Sequence, residues 1–379
     1  MAHFPRITRQ RKYCRLYLRD HTKGGVILQG RQSHFTGWKW EQRGMSEEKA
    51  TRFEGLDILR GLAAIYVVLS HYTSFCLREL GDTPFYIPRE TGDYAVWLFF
   101  IISGFVIYFS IERSKTWRDF AVSRLTRLYP MYWITLTIVL VASIYLFAKE
   151  RMWWGGYLVN MTMFQEFFGF ENFDNVYWSL TVELAFYLIV GLLFKAGWIQ
   201  RIGMIATAWL LLAWIGTLLG PTLDGTARMI LHRYFIIAYV PFFLMGIMLY
   251  LIQKRGISGE RALIIIASFA TIGLIHGWGD LAISLALFAA AAFSISHLGR
   301  FLVSPVLLWL GAISYALYLI HRNLGYLALN AMHRHGVSTP MALAIAVTTA
   351  LILATLLTYL VERPLCAYLR KLYRQRYLS

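Results

Sequence analysis

Charge is what this sequence has least of. Of its 379 residues, 15% are Asp, Glu, Lys or Arg, and acids are scarcer than bases, 21 against 37. Ordinary soluble domains carry about 25% charged and about 45–50% apolar residues; here 58% are hydrophobic and the mean hydropathy is +0.51. A soluble globular enzyme is excluded. So is a disordered chain, because apolar surface is in excess. Cysteine is scarce as well: Cys14, Cys76 and Cys366 supply neither a disulfide framework nor a zinc-site spacing, so no metal is expected. No apolar stretch precedes residue 56, which excludes a secretory signal. No stretch between apolar runs is long enough for a separate soluble domain. What remains is an all-α polytopic membrane protein.

The shortage of acid leaves a net charge of +16, which raises the question of a nucleic-acid partner. Its distribution argues against one. Residues 1–52 hold 12 Lys/Arg against 4 Asp/Glu, a net +8, and the segment from Arg363 onward holds 5 against none, a net +5. Thirteen of the sixteen excess charges therefore flank an apolar body, which reads as membrane topology. A span needs about 20 mostly apolar residues. Ten are expected, at 56–77, 94–111, 128–148, 177–197, 202–219, 234–252, 262–277, 280–297, 303–325 and 341–361. With both termini in the cytoplasm, 29 Lys/Arg fall on the cytoplasmic side and 8 on the other, the arrangement the positive-inside rule favours. The expected organisation is a basic cytoplasmic segment over 1–52, a bundle of about ten helices over 53–365 in the plasma (inner) membrane, and a basic cytoplasmic tail over 366–379. The stretch 149–176 reads as a re-entrant or capping segment.

Charged groups inside spans cost at least about 2.5–3.5 kcal/mol each at mid-helix, so each is a functional candidate. Arg60 and His71 lie on the first span, Glu183 on the fourth, His321 and Arg322 on the ninth. Eleven residues separate Arg60 from His71, about 20° past three full turns and about 16 Å along the axis, so they share a face. His71 lies about 21 Å from the inner edge of a core about 30 Å thick, and Glu183 about 9 Å below the outer edge, which is the same depth. A histidine and a carboxylate at one level can act as a base and its orienter. The structural alternatives are a hydrogen-bonded packing histidine, a carboxylate paired only for solvation and a snorkelling arginine.

Six motifs carry a resemblance: RGLAAIYVVLSH at 60–71, FFIISGF at 99–105, SRLTRLYPMYW at 123–133, VYWSLTVELAFY at 176–187, ISYALYLIH at 313–321 and VERP at 361–364. In this order, over about 53–365, they resemble the acyltransferase-3 family of integral membrane acyltransferases. The resemblance implies transfer of an acyl group, usually acetyl, from cytoplasmic acyl-CoA to a hydroxyl of a carbohydrate or glycolipid. Some members carry a fused extracellular hydrolase-like domain. None is visible here, so a single-module enzyme or a separate extracytoplasmic transfer protein is implied, with membrane lipid as the surrounding partner.

The residues suit that chemistry. His71 is the expected base, with Glu183 orienting it or positioning the acceptor. Arg60 faces the CoA side, and Arg124 and Arg127, three apart on one helical face, can grip phosphates or simply anchor topology. Ser103 and Gly104 form a small pair that admits a neighbouring helix or a slender ligand. Trp178 opens the fourth span, Ser179 is expected to hold Glu183 at i,i+4, and His321 is a candidate lining residue of the acceptor site. Arg322 is expected to point elsewhere, and Glu362 and Arg363 to pair with the cytoplasmic arginines. Outer aromatics such as Trp153, Trp154, Phe164 and Phe168 suit either sugar stacking or an interfacial belt.

The rival class is a multi-pass transporter or flippase, which also uses buried charge. The halves of the chain show no repeat, and no pair of broken spans stands in corresponding positions. Residues 1–44 show no usable periodicity, and Met45 opens a stretch that would serve as a start, so this segment is expected to be either a dispensable cytoplasmic tail or the product of a mis-assigned start. A chain beginning at Met45 should keep full acyl transfer in membranes; loss of activity on truncation would refute this.

Overall fold

The computed structural model describes residues 53–147 and 154–377, so the expectations for residues 1–52 and for Trp153 lie outside the described residues. Among the described residues every regular element is helical. The elements are α1 Glu54–Phe75, α2 Gly92–Arg113, α3 Trp117–Phe147, α4 Trp154–Met161, α5 Trp178–Lys195, α6 Ile202–Leu219 and α7 Gly225–Met229. They continue with α8 Val240–Arg255, α9 Gly259–His276, α10 Trp278–Ile295, α11 Pro305–Arg334, α12 Thr339–Leu357 and α13 Arg363–Tyr377. Nine helices among the described residues are long and apolar enough to cross a membrane.

The tenth expected span is α8, whose 16 residues rise only about 24 Å. Its two ends nonetheless lie at opposite ends of the bundle. Tyr239, just before it, packs on Trp178 at the start of α5, whereas Lys254 and Arg255 at its end pair with Glu112 at the end of α2. Short length is compensated by burial: Val240 through Leu251 are all buried. The same kind of contact orients the other helices. Lys195, ending α5, lies over Trp117, which opens α3, and Arg127 on α3 pairs with Glu362 after α12. Arg127 also interacts electrostatically with Asp57 near the start of α1. The beginning of α1 and the end of α12 therefore share one face of the bundle, the basic face. The opposite face is capped by α4, the loop to Asp174 and the segment around α7, joined where Arg233 donates to the Glu166 carbonyl and Tyr234 to that of Phe167.

Two boundaries depart from the sequence reading, for physical reasons. α3 starts at Trp117 rather than 128, because Thr116 and Asp119 form a reciprocal capping box and the turn that follows is charged on one side. Pro130 sits inside this helix and leaves the Thr126 carbonyl without its usual amide donor; the Cys366 thiol donates to it instead, at 3.0 Å. The tail expected over 366–379 is helical from Arg363 to Tyr377 and packs along α3.

Glycine sets the closest helix contacts. A Cβ on Gly311 would lie 2.3 Å from the Asp57 carbonyl oxygen, and one on Gly61 would lie 2.6 Å from the Gly311 nitrogen, so α1 and α11 touch backbone to backbone. Gly104 and Gly246 play the same part between α2 and α8, with Cβ positions 2.0 and 1.9 Å from facing carbonyl oxygens. No side chain can be accommodated there without moving a helix. Gly311→Ala is therefore expected to destabilise the protein by about 1–3 kcal/mol, read as a lower thermal unfolding midpoint in detergent; an unchanged midpoint would show that the contact is not needed.

Candidate active site

The α1–α11 contact sets a register. Both helices run from the basic face toward the opposite face, and ten residues beyond the Gly61–Gly311 contact stand His71 and His321. Their rings are nearly coplanar, 7° apart, with His71 Nδ1 at 2.8 Å from His321 Nε2. His321 is fully buried and His71 half-buried. Tyr72 tightens the pairing by donating to the His321 carbonyl at 2.8 Å.

The hydrogen bonds assign the protons. His321 Nδ1 lies 2.8 Å from the Tyr318 carbonyl, an acceptor only, so Nδ1 carries the hydrogen. In the neutral ring Nε2 is then an acceptor, and His71 Nδ1 must donate to it. His71 Nε2 is left with a free lone pair and makes no hydrogen bond to the described residues. The chain from carbonyl to His321 to His71 has the geometry that a base and its orienter require.

Glu183 does not take that orienting position. Its Oε1 accepts from Ser103 at 2.6 Å and from Tyr187, one turn along α5. Ser179, expected to hold Glu183, instead bonds the Val176 carbonyl and the Tyr318 hydroxyl at 2.7 Å, where it buttresses the helix turn that carries His321. Tyr187 fills the i,i+4 place. A polar track continues from there toward the basic face. Arg124 interacts electrostatically with Tyr187 and Glu183, and Arg127 pairs with the buried Glu362 and lies over the Tyr315 ring. Arg60 is held by Asp57 at 3.0 Å near the start of α1, and Arg363 stacks on Tyr359 rather than joining Arg127.

Trp178 lies on the opposite face, packed against Phe100 and Tyr239. There it lines an open cavity of about 340 Å³ with Glu166, Thr181, Arg233 and Tyr239. Arg322, adjacent to His321, does point elsewhere: it pairs with the buried Asp174 at 3.4 Å. Asp174 also accepts from the Asn323 and Val176 amides, so one carboxylate ties the capping loop to α11 beside the histidine pair. Burial pushes the Asp174 carboxyl up, against the pull of Arg322. Sequence reasoning missed Asp174, Tyr187 and Tyr318. Asp174 gave a signal, as an acid at the mouth of a span with a counter-ion, Arg322, already noted; the tyrosines were hidden in a chain with 23 of them. No cluster of metal-ligating residues occurs among the described residues.

Residues 53–360 match the sequence profile of a family described as an acyltransferase domain, acyltransferase 3. The chain belongs to this acyltransferase-3 family. It is similar to acyltransferase MdmB of Streptomyces mycarofaciens, 24% identical over 72% of this chain and 79% of that protein. It is also similar to nodulation protein 10 of Rhizobium leguminosarum bv. viciae, 26% identical over 40% of this chain and 46% of that protein. No solved structure matches. The family identifies the protein as a multi-pass membrane acyltransferase, and the motifs in its sequence surround the histidine pair, the Ser103–Glu183 contact and the arginines of the polar track.

Arg322→Met would strand the Asp174 carboxylate. Removing one partner of a buried pair typically costs about 3–5 kcal/mol, so the variant should lose much of its thermal stability, and adding Asp174→Asn should restore part of it. Equal midpoints for Arg322→Met and the wild type would show that the pair does not hold the loop.

Proposed function

We propose that this protein is an O-acyltransferase. It takes an acyl group, acetyl in the simplest case, from acyl-CoA reaching the basic face, and transfers it to a hydroxyl of a carbohydrate or glycolipid presented toward the opposite face. By the positive-inside rule the basic face is cytoplasmic, in the plasma (inner) membrane. The observation that carries the reading is the free lone pair on His71 Nε2, directed by its bond to His321.

In this mechanism the acceptor hydroxyl gives its proton to His71 Nε2 as its oxygen attacks the thioester carbonyl. His321 Nε2 accepts from the imidazolium at Nδ1 and stabilises the charge that develops there. The tetrahedral intermediate collapses with cleavage of the C–S bond, and the leaving thiolate takes the proton back from Nε2, releasing CoA and the acyl ester. Arg60, Arg124 and Arg127 serve the donor side. Ser103 and Glu183 line the track between donor and base, and Trp178, with its cavity, the acceptor side. The Ser179–Tyr318 bond maintains the turn whose carbonyl fixes the His321 tautomer.

The test is purified protein with labelled acetyl-CoA and surface glycan acceptors. His71→Ala should lower turnover by about 10²–10⁴-fold, the usual contribution of a general base, in a protein that still folds but with a lower thermal midpoint, because His321 Nε2 loses its partner. His321→Gln should lower kcat by less and move the pH profile, because the orienter and not the base is lost. Wild-type turnover in folded His71→Ala would overturn the base assignment, and acceptor flux across vesicles without ester formation would favour a transporter.

A further inference from the structure

The C-terminal helix α13 brings an additional cation to the polar track. Three contacts fix how it lies: Glu362 pairs with Arg127, Cys366 donates to the Thr126 carbonyl, and Tyr373 donates to Asp119 at 2.9 Å. Positions rise along α13 as they fall along α3, so the two helices are antiparallel. Arg370 is one turn past Cys366 and on the same side of α13, about 40° away. It therefore stands opposite the stretch of α3 between Asp119 and Thr126, where Ser123 and Arg124 are found. The electrostatic interaction between Arg124 and Arg370 agrees with this register.

The charges at this point do not balance. Arg127 is matched by Glu362. Arg124 donates from Nη2 only to the neutral Ser123 hydroxyl, at 3.0 Å, and its Nε is closed off from solvent without an acceptor. Glu183, the carboxylate in its electrostatic reach, is already engaged by Ser103 and Tyr187. Arg370 is exposed and forms no ion pair among the described residues. Two guanidinium groups carried on facing stretches of α3 and α13, one with a buried donor lacking an acceptor, are complementary to an anion with several oxygens, and guanidinium forks match phosphate in particular.

We propose that Arg370 and Arg124 together form a phosphate-binding site between α13 and α3, occupied by a phosphate of the CoA donor. This rests on the acyl-CoA reading above and extends it to a helix outside the matched family region. Arg127, neutralised by Glu362, then serves mainly to hold α13 in place. The C-terminal helix is thereby part of the donor site as well as a cationic end.

The experiment compares Arg370→Gln with the wild type in nanodiscs, using two acetyl donors, acetyl-CoA and S-acetylpantetheine, which carries the same thioester arm without phosphate. Arg370→Gln should raise KM for acetyl-CoA about tenfold, the loss of one charge-assisted hydrogen bond, with kcat nearly unchanged. With S-acetylpantetheine the variant and wild type should have the same KM. An equal change with both donors would indicate a structural role and overturn the proposal. A change seen with both donors only in nanodiscs containing anionic phospholipid would assign the phosphate to a lipid headgroup, which also overturns it. Unchanged KM for acetyl-CoA in an active variant would remove the site alone, whereas a wild type that binds CoA but transfers no acetyl group would remove the functional reading and leave the site standing.

Discussion

The hydrogen bond between the rings of His71 and His321 is the constraint around which this structure is arranged. A buried imidazole needs partners for both nitrogens, and at this depth there is no bulk water to supply them. His321 finds one in the Tyr318 carbonyl of its own helix and the other in His71. That pairing demands that α1 and α11 run parallel and close, which Gly61 and Gly311 permit by removing side chains where the backbones meet. It also demands a rigid α11 at that level. Asp174, which binds Arg322 and the Asn323 amide, and Ser179, which binds the Tyr318 hydroxyl, supply it.

Many polar groups elsewhere in the bundle are partnered in the same way. Glu183 is satisfied by two hydroxyls, Arg127 by Glu362, and Glu112 by Lys254, Arg255 and Tyr250. Arg124 Nε is one of several buried atoms without a partner among the described residues, with Gln165 Oε1, Arg322 Nε, Tyr326 Oη, Thr358 Oγ1 and Glu362 Oε2, and the half-buried His71 Nε2 makes no hydrogen bond to the described residues. In a low-dielectric interior such unused capacity is expensive, and a site that binds and releases its partners is where it is tolerated. His71 Nε2 lies toward the face with the aromatic cavity and Arg124 Nε toward the basic face, which under the proposed function are the acceptor and donor sides.

Much of this was legible in the chain. The ten apolar runs were separated by charge and glycine, and the helix break at Gly277, with φ +99°, fell between the two runs hardest to divide. His71 and Glu183 stood out as ionisable groups in apolar context, and depth arithmetic put them at one level. What it did not reveal was lateral placement. A helix wheel orders residues around one axis and says nothing about which neighbour that face meets. The assignment of Glu183 to His71 therefore did not hold at the level of contact, and His321, from a helix 250 residues away, took the place.

The sequence by itself determined the membrane class, the positions of most of the apolar helices and the identity of the ionisable residues, because each follows from the cost of placing a residue in hydrocarbon. Only the tertiary structure decided which of those residues meet. Hydrogen-bond partnership depends on distances of about 3 Å between helices far apart in the chain, and that precision comes from packing, from the glycine contacts that set the α1–α11 register and from the α13 contacts that bring Arg370 beside Arg124.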